Sequence, residues 1–85
     1  MRNGSPEDRA FVKELSRRVR LNRRIQDLTQ AELGERAGIS RNFVAAFETG
    51  EHGIDVANLR RIADALGLPL PTLVDVRIDG EERAP

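Results

Sequence analysis

The chain has no cysteine, tryptophan or tyrosine, and only one methionine, one histidine and three phenylalanines among 85 residues. Without cysteine there are no disulfides and no thiolate metal sites. With so few aromatics the core must be built from Leu, Val, Ile and Ala. No apolar run approaches the roughly 18 residues of a membrane span, and no secretory signal pattern opens the chain. A cytoplasmic address is therefore expected by default. The formal net charge is zero, so the basic surplus common among nucleic-acid-binding domains is missing as well. A chain of 85 residues makes one small domain, able to bury about 60 to 65% of the surface of its unfolded form. No separate catalytic or small-molecule effector domain is therefore expected within it.

The charge that is present is unevenly spread. Residues 1–29 hold eight basic and four acidic side chains, residues 30–55 two against five, and residues 56–85 four against five. The first segment reads as a helix: Ser5 as N-cap, Pro6 at the first helical position, and Glu7 and Asp8 in the first turn, where the positive end of the helix dipole favours them. Phe11, Val12, Leu15 and Val19 then recur at helical spacing, and Arg17, Arg18, Arg20, Arg23 and Arg24 crowd the later turns. That cluster is either a solvated basic face or a rim meant for phosphates.

Thr29 with Glu32 forms a capping box, and Leu28 with Leu33 a hydrophobic staple, so a second helix begins at Gln30. Gly38 ends it, and only "GIS" separates it from the next N-cap, Ser40, with Ile39 and Val44 repeating the staple. Two helices this short, joined this tightly, must cross steeply. Their inner faces are expected to be Ala31, Leu33, Ala37, Ile39, Val44 and Phe47. Gly34, inside the second helix, costs about 1 kcal/mol in propensity, which implies close backbone packing; alanine would be tolerated there if space allows. Asp55 caps a fourth helix carrying Val56, Leu59, Ile62, Ala63 and Leu66 on one face, Gly67 closes it, and Pro69 and Pro71 frame a short fifth. The expected division is a flexible 1–5, a helical domain over 6–75, and a tail over 76–85 in which Val76 and Ile78 alternate with charges as a short strand would.

Ser40, His52 and Asp55 invite a catalytic-triad reading, but a cap, a loop residue and a second cap account for them. No spacing of His or carboxylates suggests a metal, and no cofactor motif is present, so neither an enzyme nor a cofactor is expected.

Taken in order, Gln30 opening the second helix, Ala37-Gly38 at the turn, Ile39 and Val44, "FETG" after the third helix and "NLRRIADALGL" in the fourth resemble the Cro and phage-repressor family, also called Xre-like regulators. The resemblance extends from about Leu15 to Val74. It implies an all-α, compact five-helix lambda-repressor-like DNA-binding domain, with the helix-turn-helix in helices 2 and 3 and the third helix, residues 40–48, in the major groove. Periodicity turns Arg41, Asn42, Ala45 and Ala46 outward. Arg matches the guanine edge, Asn the adenine edge, and alanine methyls the thymine methyl.

The resemblance also implies backbone contacts from Gln30 and Thr49, with Arg23 near a phosphate and Ser40 divided between capping and DNA. It further pairs Arg23 with Glu48, either partly buried, at a cost of about 3 kcal/mol to break, or loose on the surface and contributing about 0 to 1 kcal/mol. Phe43 is expected either to pack under the fourth helix, the favoured reading, or to lie exposed beside the DNA backbone. One departure stands out: Glu51 and His52 follow the third helix where the family usually carries lysine or arginine, which weakens any phosphate contact from that loop.

One recognition helix reads few base pairs, so the implied partner is double-stranded DNA bound by a homodimer on half-sites about 34 Å apart. The dimer contact is expected at Leu68, Leu70 and Leu73, extended by Val76 and Ile78. The rival reading, favoured by the zero net charge and Glu51, is a protein-interaction module such as an antitoxin.

Overall fold

The computed structural model describes residues 4–76. Five helices follow one another: α1 (Pro6–Ile25), α2 (Gln30–Ala37), α3 (Arg41–Glu48), α4 (Val56–Leu66) and α5 (Leu70–Leu73). Their starts are set locally. The Ser5 hydroxyl accepts from the Asp8 N–H at 3.1 Å while the Asp8 carboxylate accepts from the Ser5 N–H at 3.3 Å. Thr29 and Glu32 repeat this box at 3.0 and 2.8 Å. Ser40 and Asp55 cap α3 and α4 through the N–H groups of Phe43 and Asn58, so α1 to α4 each begin where a short polar side chain satisfies a donor the helix cannot, while α5 starts after Pro69 with no side-chain cap.

The turn between α2 and α3 depends on two glycines. Gly38 takes φ 74°, and the Ile39 N–H then reaches back to the Gly34 carbonyl at 2.9 Å while the Gly38 N–H reaches Glu35 at 3.3 Å, the paired closure that a left-handed cap residue permits. Gly34 lies under the returning chain. A Cβ there would stand 2.7 Å from the Ile39 carbonyl oxygen and 3.3 Å from the Arg41 nitrogen. The space for alanine that the sequence left open is absent.

Leu15, Val19, Leu33, Val44, Phe47, Ile62 and Leu73, drawn from all five helices, are buried in one core. α2 packs on both α3 and α4, and α1 runs behind them to reach α3, α4 and α5. Three expected core positions are misplaced at helix edges. Ala31 is exposed and Val56 72% exposed, because first-turn residues extend past the neighbours that would cover them, and Phe11, in the second turn of α1, is 39% exposed. The end of α1 had no glycine to mark it; Asp27 adopts φ 63° there, and the Leu28 N–H bonds the Arg23 carbonyl at 3.0 Å.

Gln26 donates to the Leu66 carbonyl at 2.7 Å and Arg18 to the Thr72 carbonyl at 2.9 Å, tying α1 to the ends of α4 and α5. No helix among the described residues is long and apolar enough to cross a membrane. Val76 lies half-buried against the core, its N–H on the Val74 carbonyl, and no strand occurs among the described residues. Ile78 and the remainder of the expected tail lie outside them.

Candidate nucleic-acid interface

α3 is short enough that each side chain has one clear environment. Val44, Phe47 and Glu48 are buried. Arg41, Asn42 and Ala46 are exposed, and Ala45 and Phe43 are half-buried, so Phe43 is neither the full core residue expected nor a free aromatic. Four-residue spacing stacks Ala45 one turn beyond Arg41 and Ala46 one turn beyond Asn42, which makes two parallel rows of one polar and one methyl group. Among the described residues neither Arg41 nor Asn42 has a side-chain hydrogen bond or ion pair. Their donors are available to an outside partner, and the alanines leave the helix backbone open to close approach.

The C-terminal end of α3 is held by a polar network. Arg23 lies against Glu48 in a two-pronged pair, Nε to Oε2 at 2.7 Å and Nη2 to Oε1 at 2.8 Å, while its Nη1 donates to the Leu28 carbonyl at 2.8 Å. The side chains are 10% and 3% exposed, which decides for the buried pair over the loose one. The hydrogen bonds to Glu48 push the Arg23 guanidinium above its ordinary value, against the opposing effect of burial. Gln30 adds a third donor to the Glu48 carboxylate at 3.0 Å, and Arg20 donates to the Glu48 carbonyl at 2.8 Å.

Local bonding bears on the expected backbone contacts one by one. Arg23 is buried with all three nitrogens engaged inside the domain, so it holds α3 first of all, and only the second protons of Nη1 and Nη2 are left over. Thr49 spends its single hydroxyl proton on the Ala46 carbonyl at 2.7 Å and accepts from the Glu51 N–H at 3.2 Å, which leaves no donor for a phosphate. Ser40 is a cap. Gln30 keeps one amide proton, at the first turn of α2, where backbone N–H groups have no partner within the helix.

The arginine cluster of α1 also divides. Arg18, Arg20 and Arg23 bond carbonyls or carboxylates of other segments. Arg17 pairs with Glu14 at 2.7 Å, and their contact raises the guanidinium and lowers the carboxyl. Arg24 is exposed and, among the described residues, unpaired. The role of Arg20 was not legible beforehand, since its acceptor is a backbone carbonyl 28 positions away. Leu73 is fully buried, a correction to its expected place on a dimer surface: α5 turns it inward as the plug of the core. Leu68 and Leu70 remain half-buried, and Leu21 and Ile25 of α1 are 45% and 71% exposed.

A crossed helix pair with a buried arginine–glutamate anchor and an unoccupied polar face on its second helix is matched by one family model, helix-turn-helix, over residues 15–73. The chain belongs to that family. An immunity repressor protein of Bacillus phage phi105 is 30% identical to this helix-turn-helix domain over 60 residues, 71% of the chain. An uncharacterised HTH-type transcriptional regulator of Sinorhizobium fredii is 38% identical over 52 residues, 61% of the chain. The chain spans 42% and 36% of the length of these two relatives.

Among solved structures, the restriction-modification controller protein C.AhdI from Aeromonas hydrophila aligns with a TM-score of 0.70 at 26% identity, covering 73% of this chain and 94% of that one. A hypothetical transcription factor, NHTF from Neisseria, aligns at 0.75 and 26% identity over 89% and 87%. The fold is thus the all-α, five-helix, lambda-repressor-like one, and membership places the domain with helix-turn-helix DNA-binding domains.

Proposed function

We propose that this helix-turn-helix domain binds double-stranded DNA in a sequence-specific way, as a transcriptional regulator working in the cytoplasm, with α3 in the major groove. The observation that carries the reading is the face of α3 on which Arg41 and Asn42 stand exposed and without internal partners beside two small alanines. Arg41 is assigned to a guanine, Asn42 to an adenine, and Ala45 and Ala46 to thymine methyls. Gln30 and the first turn of α2 take the phosphate contact, because that helix end presents free N–H groups and a positive dipole. Arg23, Glu48 and Ser40 set the pose of α3.

The names of the relatives and neighbours support the regulator reading, and the small surface of one α3 supports a homodimer on an inverted repeat, with half-sites about one helical turn apart. Its contact is assigned to Leu68, Leu70 and Val76, extended by the exposed Leu21 and Ile25.

Selection of duplexes from a random library, with the double variant Arg41→Ala/Asn42→Ala beside the wild type, tests the proposal. An enriched inverted repeat that the variant loses is the expected result. Each single substitution should cost about 1 to 3 kcal/mol on the selected site and little on random DNA. A folded wild type that enriches nothing would favour the protein-interaction reading, an antitoxin-like module whose partner is a protein.

A further inference from the structure

We infer that Lys13 of α1 supplies the phosphate contact that the loop after α3 lacks, an assignment that rests on the DNA-binding reading above. Between Glu48 and Asp55 the chain carries no lysine or arginine, and Glu51 and His52 are both exposed. A DNA backbone passing the end of α3 would meet a carboxylate from that loop. At Gly50 this loop meets α1. Gly50 is buried at φ 82°, and a Cβ on it would stand 3.1 Å from Lys13 Cγ and from Ser16 Oγ, and 3.5 Å from Lys13 Cα. Further along the same helix, Arg20 donates to the Glu48 carbonyl at 2.8 Å. These two contacts seat one side of α1 flush against the C-terminal end of α3.

At about 100° per residue, positions 9, 13, 20 and 24 of α1 fall within one sector of roughly 60°, and all four are basic. Their availability differs. Arg20 is bonded to Glu48, and Arg9 donates to the Gly4 carbonyl at 2.8 Å. Lys13 is exposed, its ammonium has no hydrogen bond or ion pair among the described residues, and its stem adjoins Gly50 of the loop directly. A lysine stem packed on a glycine, with its ammonium in water, suits a phosphate as a mobile point charge. The positive charge missing from the loop is thereby supplied by another segment.

The test is the dependence of affinity on salt, measured on the selected duplex for the wild type, Lys13→Ala, Lys13→Arg and, as a control for net charge, Arg60→Ala on α4. Losing one phosphate contact should lower the magnitude of the log–log slope by about 0.9. Lys13→Ala should show that drop with the ranking of base sequences unchanged, and Lys13→Arg should keep the wild-type slope. An unchanged slope in Lys13→Ala, or an equal drop in Arg60→Ala, overturns the assignment while leaving the DNA-binding reading in place. A wild type that binds no duplex overturns both.

Discussion

Glu48 is the residue on which the placement of α3 turns. Its carboxylate accepts from Arg23 twice and from Gln30 once, and its carbonyl accepts from Arg20. Taking two charges out of water is costly, and the pair holds because nearly every donor and acceptor is matched. Breaking it from one side leaves Arg23 as a buried, unpaired cation. Glu48→Ala should therefore destabilise the domain by about 3 to 5 kcal/mol, a large share of the roughly 5 to 15 kcal/mol typical of a small domain. Glu48→Gln keeps the shape and should lose less. Urea denaturation measures both; a loss under about 1 kcal/mol for the alanine variant would mean that the pair is a surface contact after all. The partners of this pair were implied by the family resemblance. Its burial was not, because burial is decided by side chains from α1, α2 and α3 together, whereas the outward set on α3 follows from helical period alone.

At the scale of elements, what the sequence displayed was what is decided within a few residues. Ser5, Thr29, Ser40 and Asp55 all cap as their positions suggested, because a cap needs only a side chain and an N–H two or three positions on. The faces of the first turns were not legible: Ala31 and Val56 have the right period for burial but no neighbour over them. Gly34 shows the same division. Its presence signalled close packing, while the sign of an alanine substitution depended on where the Ile39 carbonyl would lie. Propensity favours Gly34→Ala by about 1 kcal/mol. The added methyl, 2.7 Å from a carbonyl oxygen that is part of the α2–α3 turn, cannot be relieved by a side-chain rotation and must open the turn. Overpacking of this kind costs about 1 to 3 kcal/mol, so the variant should melt lower than the wild type and bind the selected duplex more weakly, through a displaced α3. A variant more stable than the wild type would show that the turn yields easily.

At the scale of the whole molecule, a net charge of zero conceals how the charge is disposed. Several of the cations concentrated in α1 hold the fold together through Arg18, Arg20 and Arg23, so counting arginines overstates what is free to meet DNA. The apolar surface has a similar lesson. Leu73 is spent on the core, and the large apolar side chains left outside include Leu21 and Ile25, one helical turn apart on α1. On the same helix Arg18 reaches the Thr72 carbonyl, and Gln26, just past its end, reaches the Leu66 carbonyl, which sets this end of α1 beside the ends of α4 and α5, where Leu68 and Leu70 are half-buried. If two copies meet along that edge, a carboxylate at its most exposed point should separate them without touching the core. Ile25 is 71% exposed, so Ile25→Asp should alter the stability of the monomer by no more than about 0.5 kcal/mol. Sedimentation should show the wild type dimeric at micromolar concentration and the variant monomeric. Affinity for the full inverted repeat should then fall to that for an isolated half-site, because the second α3 no longer arrives with the first. Wild type and variant sedimenting as the same species would remove this edge from the interface and return the question to Leu68, Leu70 and the residues beyond Val76.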